Sequence, residues 1–134
     1  MEINKKEQYI VYNVEGGQLD DVQSAQIEKS IAGLYSAEGK INFIIDLSLA
    51  EGVSEKAIKL FGKVQRICVK ESGLLVLVTT NDDILDYVSA NAEEFLLFLP
   101  TVDEAIDAVF MNEQENDFKE EEDDEFGIEG ESEY

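Results

Sequence analysis

The feature that most constrains this chain is a short apolar run at residues 41–45, Ile-Asn-Phe-Ile-Ile. It is apolar at four of its five positions and β-branched at three. This composition predicts a strand buried on both faces, as in a parallel sheet covered by helices. Asp46 follows the run, and open α/β sheets place ligand or partner sites beyond the carboxyl ends of such strands. We therefore expect function to depend on the segment between Asp46 and Lys59.

The rest of the chain alternates short apolar segments with amphipathic ones, which indicates strands alternating with helices. Further strands are predicted at 2–6, 8–14, 74–78 and 95–99, and helices over 22–37, from 54 to about 70, over a short segment starting near 82, and over 102–112. Val22, Ile27 and Ile31 fall at helical spacing and are expected on the apolar face of the first helix. Residues 95–99, which begin with Phe95, are predicted to form an apolar strand. The order β-β-α-β-α-β-α-β-α predicts an α/β domain with a mostly parallel sheet packed by helices.

The composition excludes several classes of protein. No apolar run approaches the roughly 18 residues that span a bilayer, and the N-terminus lacks the apolar core of a signal peptide. One cysteine among 134 residues allows no internal disulfide, so we predict a soluble cytoplasmic protein that does not bind membranes. The lack of histidine excludes Ser-His-Asp triads, Cys–His pairs and ordinary zinc sites. Cys68 lies among apolar helix residues and is interpreted as a core side chain rather than a catalytic thiol.

Charge divides the chain into two parts. The formal net charge is −21, and residues 113–134 hold twelve of the 31 acidic residues but one of the ten basic ones. We therefore predict a domain at 1–112 and a disordered acidic tail at 113–134. Its apolar residues could dock on a partner; they are Phe118, Phe126, Ile128 and Tyr134. A chain this acidic is not expected to bind nucleic-acid backbones.

Two acidic clusters, Asp20-Asp21 and Asp82-Asp83-Asp86, are interpreted as helix caps rather than metal ligands, because no spacing matches a calcium loop. We predict no catalytic residue, no metal and no cofactor. Asp46 together with Asp82-Asp83 leaves one alternative open, the phosphoacceptor domain of a response regulator. Against that alternative, no acidic pair ends the first strand and no lysine closes a late one.

A row of basic residues distinguishes the predicted helix after Ser54. Its members follow one another at intervals of three and four residues and so share one helical face; this basic stripe is Lys56, Lys59, Lys63, Arg66 and Lys70. The simplest interpretation is the solvated face of an amphipathic helix. The functional alternative is a docking face for an acidic partner, or for the acidic tail of the same chain.

Four short motifs, in their order and spacing, resemble the STAS domains, the family typified by bacterial anti-sigma factor antagonists. They are Gly17-Gln18-Leu19-Asp20 (the family's G-x-L-D), Ile44-Ile45-Asp46-Leu47-Ser48 (its v-l-D-L-s), residues 74–78, and residues 96–105. The resemblance covers about residues 1–112. It implies a cytoplasmic regulatory module that binds proteins, controls transcription through signalling, and is not an enzyme.

In that family, a D-S-x-G element opens the helix after the v-l-D-L-s strand. Its serine is phosphorylated by an anti-sigma factor kinase, and the unphosphorylated antagonist captures that partner. Counted without a gap from Asp46, the serine position falls on Glu55; with a one-residue gap it falls on Ser54. Ser54 is therefore the phosphorylation candidate. Helix capping fully explains both Ser54 and Glu55 and is the favoured interpretation.

The resemblance implies that the partner is an anti-sigma factor or a related regulatory kinase. We expect it to bind the loop after Leu49, the start of the next helix and the basic stripe. The predicted partner-binding residues are Gly52, Val53, Ser54, Glu55, Lys56, Lys59, Lys63 and Arg66. A nucleotide- or small-molecule-binding relative of the family remains a further alternative.

Overall fold

The computed structural model describes the backbone of residues 1–129 and the side chains of residues 1–116. The elements, in chain order, are β1 (Glu2–Lys5), β2 (Ile10–Asn13), β3 (Gln18–Leu19), α1 (Asp21–Glu38), β4 (Asn42–Asp46), β5 (Gly52–Val53), α2 (Glu55–Glu71), β6 (Leu74–Val78), α3 (Asp82–Asn91), β7 (Leu97–Leu99) and α4 (Val102–Glu129).

Five strands form one sheet in the order β1-β2-β4-β6-β7. β1 pairs antiparallel with β2, and every other pair is parallel. The α/β class and the mostly parallel sheet are therefore confirmed. The pairing of β3 with β5 in a separate parallel ladder was not predicted, because two-residue strands leave no periodic pattern.

The central strand β4 is buried on both faces, as its composition predicted. Phe43 and Ile45 join the core formed with α1, α2 and α3. Ile44 joins a second core against α4, together with Ala105 and Val109. Because successive side chains on a strand point to opposite faces, five residues of β4 connect the two layers of helices.

Local capping fixes where several of the helices begin and where α1 ends. The Asp20 carboxylate accepts a hydrogen bond from the Gln23 amide at 2.9 Å, which starts α1. Gly39 ends α1 in the left-handed conformation, with φ at 68°. Thr101 starts α4, since its hydroxyl accepts from the Glu104 amide at 3.1 Å. Asp20, Asp21, Asp82 and Asp83 lie at helix starts, as predicted, whereas Asp86 lies within α3 and is not a cap.

Two apolar residues lie differently from the prediction. Val22 was assigned to the inner face of α1 but is 67% exposed, and Ser24 is buried instead; at 100° per residue Val22 is about 140° from Ile27. Phe95, assigned to a buried strand, is 82% exposed. The strand itself begins at Leu97 and is half-buried, because β7 is an edge strand with one neighbour.

The last helix is longer than predicted. α4 does not end at Asn112 but continues to Glu129. The Asn112 and Asn116 side-chain amides both donate to the Ser72 carbonyl, at 3.0 and 2.7 Å. The Asn42 amide donates to the Glu113 carboxylate at 2.7 Å. α4 therefore contacts the rest of the domain as far as Asn116. The boundary between domain and tail at residue 112 stays a prediction, and residues 130–134 of the predicted tail lie outside the described residues.

Gly73 joins the end of α2 to β6 with no room for a side chain. A Cβ at this position would overlap the backbone carbonyl of Ile41, whose oxygen also accepts from the Leu74 amide at 3.1 Å. The Ile41 carbonyl is held by this hydrogen bond beside the paired strands, so it cannot move aside for a new side chain. We expect Gly73→Ala to lower the free energy of unfolding by about 1–3 kcal/mol in urea titrations, as forced overpacking does.

Gly33 is the matched control, because a Cβ there meets nothing within 4 Å on the exposed side of α1. Gly33→Ala should raise the free energy of unfolding by about 0.5–1 kcal/mol, the ordinary helix preference for alanine. Equal effects of the two substitutions would contradict the packing described at Gly73.

Candidate partner-binding site

Ser54 begins α2 at the carboxyl edge of the sheet. Its backbone is extended, and its hydroxyl oxygen accepts a hydrogen bond from the Ala57 amide at 3.2 Å. Ser54 is half-buried, whereas Glu55 and Lys56 are exposed. The predicted N-cap is thus confirmed, and it leaves the charged side chains of the first turn facing solvent.

The β3–β5 ladder positions this helix start. The Glu51 amide donates to the Gly17 carbonyl at 2.6 Å, and the Ser54 amide donates to the Leu19 carbonyl at 3.0 Å. The segment before α2 is thereby attached to the connection that leads into α1. Periodicity could not detect this contact, although both strands lie beside or within motifs that carried the family resemblance.

Asp46 has a structural role at the end of β4. Its carboxylate accepts from the Ser48 amide at 3.0 Å, which starts the turn after the strand. Among the residues whose side chains are described, no group of three or more Asp, Glu or Cys residues could hold a metal ion. Asp46, Asp82 and Asp83 are therefore not gathered into one cation site.

Most of the predicted partner-binding residues line two grooves along α2. The first, about 530 Å³, separates α2 from α1 and is lined by Ser54, Glu55, Lys56, Lys59 and Lys63. The second, about 310 Å³, separates α2 from the α3–β7 connection and includes Lys59, Lys63 and Arg66. Both grooves share Lys59 and Lys63, so the basic stripe forms the ridge between them.

Two predicted site residues do not line these grooves. Val53 is 4% exposed, and its side chain belongs to the core under the loop. Gly52 is half-buried beside Gln18. Both residues therefore support the site from beneath, through the ladder with β3.

The basic stripe is exposed along its length, and two members are paired. Lys63 contacts Glu28 of α1 at 3.0 Å, and Arg66 pairs with Glu94 after α3. Exposed pairs of this kind contribute about 0–1 kcal/mol each. No ion pair to Lys56, Lys59 or Lys70 occurs among the described side chains.

Two exposed apolar residues lie at the start of α1 and in the loop before α2, and neither is among the partner-binding residues predicted from the sequence. Leu49 and Val22 are each 67% exposed. Val22 lines a shallow groove with Lys56, and the Leu49 carbonyl lies beside Gly16. Exposed apolar side chains with a charged rim are typical of protein-binding surfaces. In the sequence, Val22 is an apolar residue away from the buried face of α1, and Leu49 is an apolar residue in a polar loop.

Cys68 is buried within the core beneath α2. Burial raises the pKa of its thiol from 9.0 to about 12. A thiol with this pKa is protonated at neutral pH and out of reach of a substrate, which supports its interpretation as a core side chain.

The raised pKa of Cys68 predicts a loss of stability at alkaline pH. The unfolded thiol ionises above pH 9, whereas the folded one stays protonated to about pH 12. Its contribution is therefore complete below pH 9 and is lost as the pH rises toward 12. The free energy of unfolding should fall more steeply over that range in the wild type than in Cys68→Ala, by up to about 1.4 kcal/mol per pH unit. Parallel curves would contradict this account.

Ser54 should stabilise α2 through its hydroxyl acceptor. We expect Ser54→Ala to lower the free energy of unfolding by about 1 kcal/mol, and Ser54→Asn and Ser54→Asp to change it by a few tenths, because both retain a capping oxygen. Urea unfolding of the three variants checks this. If alanine is tolerated as well as asparagine, the hydroxyl does not act as a cap.

Within the described part of the chain, no helix is long and apolar enough to cross a membrane. No protein-family model matches the sequence, and no curated protein matches it.

Solved structures do match, and they identify the fold as that of anti-sigma factor antagonists. SpoIIAA in its unphosphorylated form matches with a TM-score of 0.67 at 16% identity, over 81% of this chain and 96% of that one. A variant of RsbS from Moorella thermoacetica matches with a TM-score of 0.71 at 16% identity, over 84% and 97%. A chain from the stressosome, a signal integration and transduction hub, matches with a TM-score of 0.63 at 13% identity, over 81% and 95%.

The chain thus has the SpoIIAA-like STAS fold over about 80% of its length, as the motifs predicted. At these identities the likeness establishes the fold.

Proposed function

We propose that this protein is a non-enzymatic regulatory module of the anti-sigma factor antagonist type. It binds an anti-sigma factor or a related regulatory kinase through loop 49–53, the start of α2 and the first part of the basic stripe. The observation that carries this proposal is the placement of Ser54 as the cap of an exposed helix start, at the carboxyl edge of a SpoIIAA-like sheet.

The chemistry around Ser54 suits a protein interface. Val22 offers an apolar contact in the groove that it shares with Lys56, the exposed Leu49 offers another in the loop before α2, and Lys56 and Lys59 offer charge. The centre of a protein interface needs apolar anchors surrounded by a polar rim. The β3–β5 ladder holds the loop and helix start together, which lowers the entropy lost on binding.

Phosphorylation of Ser54 would act as the switch. A phosphate adds about 1.5–2 negative charges at pH 7. Helix N-termini stabilise anions, so the modified residue is compatible with α2 as it stands. The modification would therefore change the charge that the partner meets without unfolding the site, and Glu55 provides a constant negative charge beside it.

The test measures binding of the partner kinase to variants that keep the cap. The kinase is recovered with the full-length protein from its native cells, identified by mass spectrometry and purified. Calorimetry should give equal affinities for the wild type and Ser54→Asn, and at least about tenfold weaker binding for Ser54→Asp, equivalent to 1.4 kcal/mol. With ATP, the kinase should add phosphate to the wild type and none to Ser54→Asn.

Gln114→Glu is the charge control, because Gln114 is exposed on α4, across the sheet from α2. This variant should bind like the wild type. The absence of a copurifying anti-sigma factor or kinase would overturn the proposal. Equal binding by Ser54→Asp and Ser54→Asn, with no phosphate on Ser54, would overturn the switch.

A further inference from the structure

We propose that the groove between α2 and the α3–β7 connection binds the acidic C-terminal segment, residues 117–134, of a second copy of this chain. We call this groove the basic groove. The lining residues on which the proposal depends are Lys59, Gly62, Lys63, Arg66 and Glu94. The proposal does not rest on the proposed function.

The charge of α2 is opposite to that of the molecule as a whole. α2 carries five of the ten basic residues of the chain, and its acidic residues are confined to its two ends, Glu55 and Glu71. The net charge of the chain is −21. A cationic face on such a chain selects anionic segments through electrostatic complementarity.

The basic groove already contains two carboxylates, those of the exposed Glu93 and of Glu94, beside its three basic residues. Glu94 reaches across α2 over Gly62, where a Cβ would lie 2.6 Å from one of its oxygens. Its other oxygen accepts from the Arg66 guanidinium. Because Gly62 has no side chain, there is room for a carboxylate over α2 beside Arg66. A single exposed pair contributes little, so a denser run of carboxylates can replace Glu94.

Residues 117–134 have the complementary composition. They hold ten acidic residues and one lysine, and six of the acidic residues are consecutive, at 120–125. Phe118 and Phe126 flank that run. Phe95 follows Glu94 in the chain and is 82% exposed, so an aromatic residue of the segment could contact it.

The fold separates this segment from the basic groove of its own chain. α2 packs on one face of the sheet and α4 on the other. Both helices run from the carboxyl edge of the sheet toward its amino edge, where Asn112 and Asn116 contact Ser72 at the end of α2. α4 then continues to Glu129, so it extends away from Lys59.

The lengths involved exclude docking within one chain while α4 is intact. From Asn116 to Glu129 a helix advances about 20 Å past the end of α2, at about 1.5 Å per residue. Lys59 lies about 20 Å back from Ser72 along α2 by the same rise. The five residues after Glu129 span at most about 18 Å. The contact between the tail and its own basic stripe stays a prediction, and with α4 intact these lengths favour a contact between two copies instead.

Association of this kind is head-to-tail, because the donated segment and the basic groove are different surfaces. In a pair joined by one such contact, one copy keeps an unused groove and the other an unused segment. The assembly therefore either extends or closes into a ring. Two chains of net charge −21 repel each other at long range. At about 0.1 M salt this repulsion is screened beyond roughly 10 Å, while direct contacts persist.

The experiment measures weight-average mass by sedimentation equilibrium of the full chain at about 0.1 M salt. We expect the mass of the wild type to exceed the 15.0 kDa of one copy and to rise with concentration. The groove variant carries Lys59→Glu and Arg66→Glu. The segment variant has amides in place of the six carboxylates at 120–125. Each should associate at least about tenfold more weakly, equivalent to 1.4 kcal/mol.

The control for the groove variant carries Lys6→Glu and Lys29→Glu, which change net charge equally at exposed positions outside the basic groove. It should associate like the wild type. Mixing the groove variant with the segment variant tests the direction of the contact. One supplies an intact segment and the other an intact groove, so the mixture should form pairs and stop at two copies.

A wild-type mass of 15.0 kDa at every concentration would overturn the proposal, and so would docking of the segment within its own chain. Association that persists in the groove variant would also overturn it. Failure of the mixture to form pairs would show that the segment and the basic groove do not contact each other.

Discussion

The burial of β4 on both faces is the interaction on which the rest of the structure depends. Phe43 and Ile45 contribute to the core with three helices, and Ile44 to the core with α4. Because successive side chains of a strand point to opposite faces, the register of β4 fixes which residues enter each of the two cores. The start of α2 at the exposed edge follows directly, since only a turn and the short β5 separate it from β4.

α2 connects the two surfaces with which this protein would meet other chains. Its first turn forms the candidate partner site around Ser54, and its middle lines the basic groove. Its end is held by Asn112 and Asn116 of α4 through the Ser72 carbonyl. A segment docked over Lys59 and Lys63 would also lie beside the groove at Ser54, because both grooves share these lysines. Self-association and partner binding would therefore compete.

Sequence patterns predicted the main sheet strands, the four helices and the cap at Ser54, because each depends on side chains close together along the chain. Val22 and Phe95 were placed wrongly, since their burial depends on neighbours that periodicity cannot supply. The β3–β5 ladder was missed because two residues are too few for a pattern. Of the predicted site, Val53 proved to be a core residue, whereas exposed Val22 was not predicted to belong to it.

The sequence by itself determined the class of fold, the acidic character of residues 113–134 and the alignment of five basic residues on one helical face. These properties depend on composition and on spacing, which the chain carries in any conformation. The tertiary structure decided which residues flank Ser54, that Glu94 occupies the space above Gly62, and that α4 leads the acidic segment away from α2. Those facts depend on strand order and on which face each helix covers, and neither is encoded in local periodicity.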